Sequence, residues 1–346
     1  MEDRLRALLE FDLDRVDLRS GLVGLVGVAA AIVVVAAFGT AGMTAGLAVL
    51  FVLAADSPGA PRERVAGVVV MTVLGAVVAA LATWAGTDHV GLATLLTAGI
   101  TLVATLAAGF GSAWATRGVL LALWAVVALS VAGAGQSALE LAAAYVIGGA
   151  IATVILWLRE RSRAESDGGP PPDDSPTPTL AQIVRSPLGL FSLLRAGAVG
   201  LATVLGIELF PEHPIWAALT VLLVLRPSPG DSLETGILRT LGTLVGGLAA
   251  VGVIAVAGGS DAVVVVAFCV AAFAMMALKN VNYAVFVLFL TAVLVLMQEL
   301  LGADATTAAE QRLLATLLGA GIAFAALWIG LRLVPRDTAD PRAGSN

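Results

Sequence analysis

The sequence predicts an all-α integral membrane protein of about twelve transmembrane helices, built as two parallel six-helix repeats. Three observations carry that prediction. Apolar residues make up 59% of the 346 and charged residues 13%, with a mean hydropathy of +0.98. A soluble domain is nearer about 45–50% apolar and about 25% charged, so this chain needs lipid as its solvent. The apolar residues also fall into segments close to span length, and Lys and Arg alternate with them in a one-sided way.

A span takes roughly 20 apolar residues at about 1.5 Å each. In the first half the segments are Leu22–Phe38, Met43–Ala55, Val65–Ala85, Val90–Phe110, Gly118–Ala134 and Leu139–Leu158. In the second they are Ala196–Leu209, Ile215–Leu225, Gly236–Ala257, Ala262–Leu278, Val281–Leu301 and Leu313–Val334. The first pair of each half is short, which predicts tight hairpins with tips at 38–42 and 210–214. Non-helical backbone at membrane depth is tolerated only against protein or water, so the tips are expected to line an outward vestibule.

Lys and Arg orient the chain. With the N-terminus inside, eighteen of the nineteen fall on the inner side, and Arg312 alone falls outside. Both termini are therefore expected in the cytoplasm and the protein in the inner membrane. Leu5, Leu8, Leu9, Leu13 and Val16 recur at helical spacing among charges, the pattern of a short surface helix rather than a signal peptide.

The halves resemble each other. Residues 18–25 match 194–201 at six of eight positions. At an offset of 171, Ser57, Pro58 and Gly59 pair with Ser228, Pro229 and Gly230, and Thr72 and Gly75 with Thr243 and Gly246. Six spans is an even number, so both halves enter from one side, as in a parallel repeat about an axis along the membrane normal. The expected units are a first repeat over 1–158, a cytoplasmic linker over 159–190 and a second repeat over 191–346. The Pro/Gly-rich, aperiodic centre of the linker is expected to be disordered. Past it, Leu180, Ile183, Val184, Leu188 and Phe191 suggest a second surface helix.

Composition also excludes functions. The one cysteine, Cys269, allows no internal disulfide, and no Cys/His spacing suits a metal. No G-x-x-x-x-G-K-[ST] loop is present. No basic patch with interleaved aromatics suits nucleic acid. A membrane enzyme would need paired acids or a Ser/His/Asp set at membrane depth, and no such cluster stands out. The chain reads as a non-enzyme without cofactor. Its expected partners are lipid and a small organic anion, with a homo-oligomeric or periplasmic adaptor contact left open.

The second half resembles the fusaric acid resistance protein-like family, also called aromatic acid exporters. The residues that carry the likeness are Leu194-Arg195, Pro214-Ile215-Trp216-Ala217-Ala218-Leu219-Thr220, Arg226-Pro227-Ser228-Pro229-Gly230, and Arg239-Thr240-Leu241-Gly242-Thr243-Leu244-Val245-Gly246. The likeness implies proton-driven export of small, often aromatic, carboxylic acids across the inner membrane. Plant aluminium-activated malate channels are distantly similar, which sets a passive anion channel beside the transporter, and a non-transporting scaffold is the third reading. The first half departs from the pattern: Val68 stands opposite Arg239, Met71 opposite Gly242 and Ala45 opposite Trp216.

Arginine suits a carboxylate because its planar fork donates two parallel hydrogen bonds. The substrate-binding candidates are Arg239, Arg226, Arg64, Lys279 and Trp216, with interfacial anchoring as the plainer role of Arg226, Arg64 and Lys279. Gly242, Thr243 and Gly246 lie in a G-x-x-x-G stretch that suits close helix packing or a substrate-facing gap. Proton coupling would fall to Glu299 or Glu208, each near the outer end of a span.

Overall fold

The computed structural model describes residues 16–56, 61–132, 137–161, 178–300 and 304–333. The expected N-terminal surface helix, the linker centre at 162–177 and the Ser57-Pro58-Gly59 turn lie outside the described residues. The described chain is all-helical.

The helices of the first half are α1 (Leu18–Ala54), α2 (Pro61–Ala85), α3 (Val90–Ala107), α4 (Ser112–Ala132) and α5 (Ala138–Arg161). A six-residue α6 (Leu180–Arg185) follows, opened by a Thr179–Gln182 capping box, at the place where the spacing predicts a surface helix. The second half holds α7 (Pro187–Leu209), α8 (Trp216–Val224), α9 (Pro229–Ala257), α10 (Asp261–Ala277), α11 (Tyr283–Leu300) and α12 (Ala305–Leu333).

Eight of these are long and apolar enough to cross a membrane: α2, α3, α4, α5, α7, α9, α11 and α12. The other four expected spans are less regular. Gly39 interrupts α1 at φ 58°, ψ −141°, a left-handed backbone that glycine adopts without Cβ strain. Beyond it Ala41–Ala54 is a shorter apolar helix, as is α10, and α8 has only nine residues.

The first half packs round an aromatic plug. Trp124 of α4 and Tyr145 of α5 are fully buried, with ring centroids 4.8 Å apart, and Phe51 lies 5.8 Å from Trp124. The Trp124 indole N–H donates to the Gly75 carbonyl at 2.9 Å. Gly75 leaves the room for this, since a Cβ there would overlap the Tyr145 ring.

The second half is held by small residues instead. Gly242 and Gly246 lie one turn apart on α9 and press on the backbone of Ala284 and Leu288 on α11. Gly319 of α12 presses in the same way on Ala217 of α8. Such small-residue contacts let backbones approach closely where lipid supplies no hydrophobic drive between helices.

Several helix pairs join the halves, the largest contacts being α3 on α7 and α1 on α10. α3 packs on α7, where the buried hydroxyls of Thr97 and Thr203 meet at 3.0 Å. α1 packs on α10, where the Asp17 N–H donates to the Ala277 carbonyl and Gly21 accommodates Phe273. Outward faces carry exposed Leu95, Val103, Leu248, Val256, Val266 and Trp328, as a lipid-facing surface requires.

The glycine contacts make a sharp prediction. Gly246→Val would drive side-chain atoms into the Leu288 carbonyl and should destabilise the protein by about 1–3 kcal/mol, in the range of overpacked cores. Gly252→Ala meets open space in the same helix and should be neutral or stabilising by up to about 1 kcal/mol. Thermal unfolding in one detergent should separate the two variants in opposite directions.

Candidate functional site

The polar residues of the second half converge on the short helix α8. Its length has a structural cause at each end. The loop 210–215 before it holds Pro211 and Pro214, and the Pro214 carbonyl closes on Gly206 of α7. At the other end the buried Arg195 of α7 donates from Nη2 to the Leu222 carbonyl at 2.7 Å. That supplies a cation to a helix C-terminus whose last carbonyls lack intrahelical partners. The Nε of Arg195 has no partner.

Arg239 sits about three turns into α9 and is only 5% exposed. Its Nε donates to the Thr220 hydroxyl of α8 at 3.3 Å. Thr220 passes its own proton to the Trp216 carbonyl at 2.9 Å, leaving a lone pair for the arginine. Arg312 sits about two turns into α12 and is also 5% exposed. Its Nε donates to the Thr291 hydroxyl of α11 at 3.4 Å, and its guanidinium lies 5.2 Å from the centre of the Trp216 ring. The two arginines thus bracket one turn of α8, one on Thr220 and the other on Trp216. They are close enough to repel each other.

Each arginine is followed four residues later by a buried threonine, Thr243 on α9 and Thr316 on α12, which the helical period sets on the same face. The Thr243 hydroxyl has no partner. Among the described residues no carboxylate pairs with Arg239 or Arg312, and the terminal nitrogens of both make no hydrogen bond to protein. Two buried cations thus lie in apolar helices with no carboxylate bonded to either among the described residues.

A second polar layer lies against this one. The His213 ring stacks on Trp216 with centroids 3.9 Å apart and planes 21° from parallel. Its Nδ1 is 2.9 Å from Gln311 Oε1, which can only accept, so Nδ1 carries the proton. Its Nε2 is then free to accept from the Gln298 amide at 3.1 Å. Gln311 in turn donates to the exposed Glu212 at 3.4 Å.

The candidates read from the sequence separate clearly here. Arg239, Trp216 and Thr243 meet at the site. Gly242 and Gly246 lie against α11 and set its distance from α9. Arg226 is exposed; its backbone N–H donates to the Ser232 hydroxyl at the start of α9, and its charge is near enough to Arg195 to repel it. Arg64 is ion-paired with Asp56 in the first half, its Nε donating to Oδ1 at 2.9 Å. Lys279 is exposed between α10 and α11. Glu299 is half-buried near the end of α11 and Glu208 exposed near the end of α7, and neither is bonded to an arginine of the site.

One expectation is corrected. The charge distribution puts Arg312 in the outer interface ahead of a span starting at Leu313, but the helix begins at Ala305 and buries Arg312. Asp304 explains the earlier start. Its carboxylate accepts from the Thr307 hydroxyl and the Thr306 N–H, which caps the helix and holds that carboxyl below its usual range. The motif Asp304-Ala305-Thr306-Thr307 carries this signal in the sequence.

The apolar helices define a multi-span membrane protein, and a family match suggests a transporter-like one. Residues 196–326 match the family described as fusaric acid resistance protein-like. That segment contains both arginines, Trp216 and all four threonines of the site, and none of the first half. No curated protein matches the chain. No solved structure matches it either.

The like charges of the site predict a cost in the empty protein. Arg312→Gln removes the repulsion and should raise thermal stability in anion-free detergent, by on the order of 1–2 kcal/mol, because an uncompensated buried charge opposes folding. The same substitution should weaken the stabilisation that added organic anion gives the parent. A fall in stability in anion-free buffer would mean that Arg312 is a structural group.

Proposed function

We propose that this chain is an inner-membrane exporter of small organic anions, aromatic carboxylic acids first among them, that binds its substrate between Arg239 and Arg312. The observation that carries the reading is the pair of buried guanidiniums without a carboxylate. Burying even one unpaired charge at membrane depth is costly, and such groups mark substrate and ion paths. The family match over 196–326 agrees in kind, since it covers every residue of the pair and its surround.

On this reading the protein binds and moves its ligand without catalysing a reaction, and its partners are lipid and the anion. Both termini face the cytoplasm, following the one-sided Lys and Arg. The halves are two parallel six-span repeats, and only the second binds. In the first, Val68 stands where the second has Arg239, and it is buried beside the Trp124–Tyr145 plug. Proton coupling falls to Glu299 and Glu208, with His213 as a third titratable group at the outer end of the site. A passive channel is the second reading, favoured by the lack of any carboxylate bonded to the arginines.

Proteoliposomes separate these. Labelled benzoate should accumulate above equilibrium only under an imposed pH gradient, and Arg239→Ala should reduce the rate at least about 30-fold, the loss expected when a buried charge partner is removed. Flux that merely equilibrates under voltage alone would identify a channel. Flux equal to that of empty liposomes would remove benzoate-like acids as substrates.

A further inference from the structure

We propose that the ligand of this site is a dicarboxylate: one molecule carrying two carboxylates, each taken by one arginine. The inference rests on the anion-binding reading and goes further in naming the charge and form of the substrate.

Arg239 and Arg312 repel each other, both are nine-tenths buried, and no carboxylate is bonded to either. A monocarboxylate would leave one buried positive charge uncompensated, whereas a dianion compensates both. Desolvated charges tolerate such an imbalance poorly.

Hydrogen-bond accounting leads to the same conclusion. A guanidinium has five N–H donors in a fixed fork. Each arginine has committed only its Nε, Arg239 to Thr220 and Arg312 to Thr291. What remains on each is the end-on pair of terminal nitrogens, the edge that grips a carboxylate through two parallel bonds. There are two such edges, one per arginine. The hydroxyls of Thr243 and Thr316, each one turn on from its arginine, can serve the carboxylate oxygens left over, and the Thr243 hydroxyl has no other partner.

Spacing then argues for an extended molecule over a compact one. The arginines are held by Thr220 and Trp216, four residues apart on α8, which is about 6 Å along the helix. A short carbon chain or a single ring carries two carboxylates as separate centres, as two separate guanidiniums require. A tetrahedral oxyanion concentrates its charge at one centre.

The experiment compares each diacid with its own half-ester, which keeps the shape and removes one charge. Dissociation constants of succinate, terephthalate, their monomethyl esters and sulfate are measured on the full-length protein in detergent at pH 7. The expected result is that at least one diacid binds about 30-fold or more tighter than its half-ester, the span expected for one buried charge partner. In Arg312→Gln that ratio should collapse towards one, while the half-ester keeps most of its affinity through Arg239. A half-ester that binds as tightly as its diacid, with binding still lost in Arg239→Gln, would overturn the dicarboxylate and leave the anion site standing. Sulfate binding as tightly as the best diacid would overturn it in favour of an inorganic oxyanion. No binding by any probe would overturn both readings together. The diacid and half-ester comparison needs only the parent protein, so it decides the matter even where a variant does not fold.

Discussion

Two like charges held against one turn of a nine-residue helix organise the second half of this protein. Arg239 and Arg312 are each secured by a single hydrogen bond from Nε to a threonine, and the rest of each guanidinium is left open. Holding that arrangement in lipid requires a rigid surround, because the empty site repels itself. The surround consists of α8, α9, α11 and α12, and its fastening points are glycines. Gly242 and Gly246 bring α9 onto α11, and Gly319 brings α12 onto α8. The arginine–threonine bonds join the other two pairs, α9 to α8 and α12 to α11, so glycine contacts and arginines together tie the four helices.

The brevity of α8 belongs to the same design. A full-length span there would carry regular backbone through the region that the 210–215 loop now occupies. His213 would then be unable to turn back and stack on Trp216. Stopping the helix early costs unsatisfied carbonyls, and Arg195 offsets that cost at the C-terminal end by donating to Leu222. Three arginines therefore share one short element, with two distinct tasks: Arg195 closes the helix, and Arg239 and Arg312 contact Thr220 and Trp216.

The first half follows different packing logic. Its interior is filled by Trp124, Tyr145, Phe51 and Met71, and Arg64 is ion-paired with Asp56. A charge already paired with an acid has little left for a ligand. The largest contacts between the halves, α3 on α7 and α1 on α10, fix this filled bundle beside the charged one. On the proposed reading the first half is the frame against which the second binds its substrate.

The sequence by itself determined the solvent and the secondary structure. Its apolar excess demands lipid, and the segments with regular spacing fold as helices near the expected places. The resemblance of its second half to the fusaric acid resistance protein-like family also singled out Arg239 and Trp216. Arg312 was legible only as a lone outer cation, since charge counting treats a residue near a helix end as solvated. Tertiary structure decided otherwise: Asp304 starts α12 early and carries Arg312 inward against Trp216 and Thr291. Tertiary structure also decided the partners. Arg64 and Arg239 look alike as isolated charges near helix starts, yet one meets Asp56 and the other meets Thr220. That difference depends on which helices lie side by side, and spacing along the chain does not encode it.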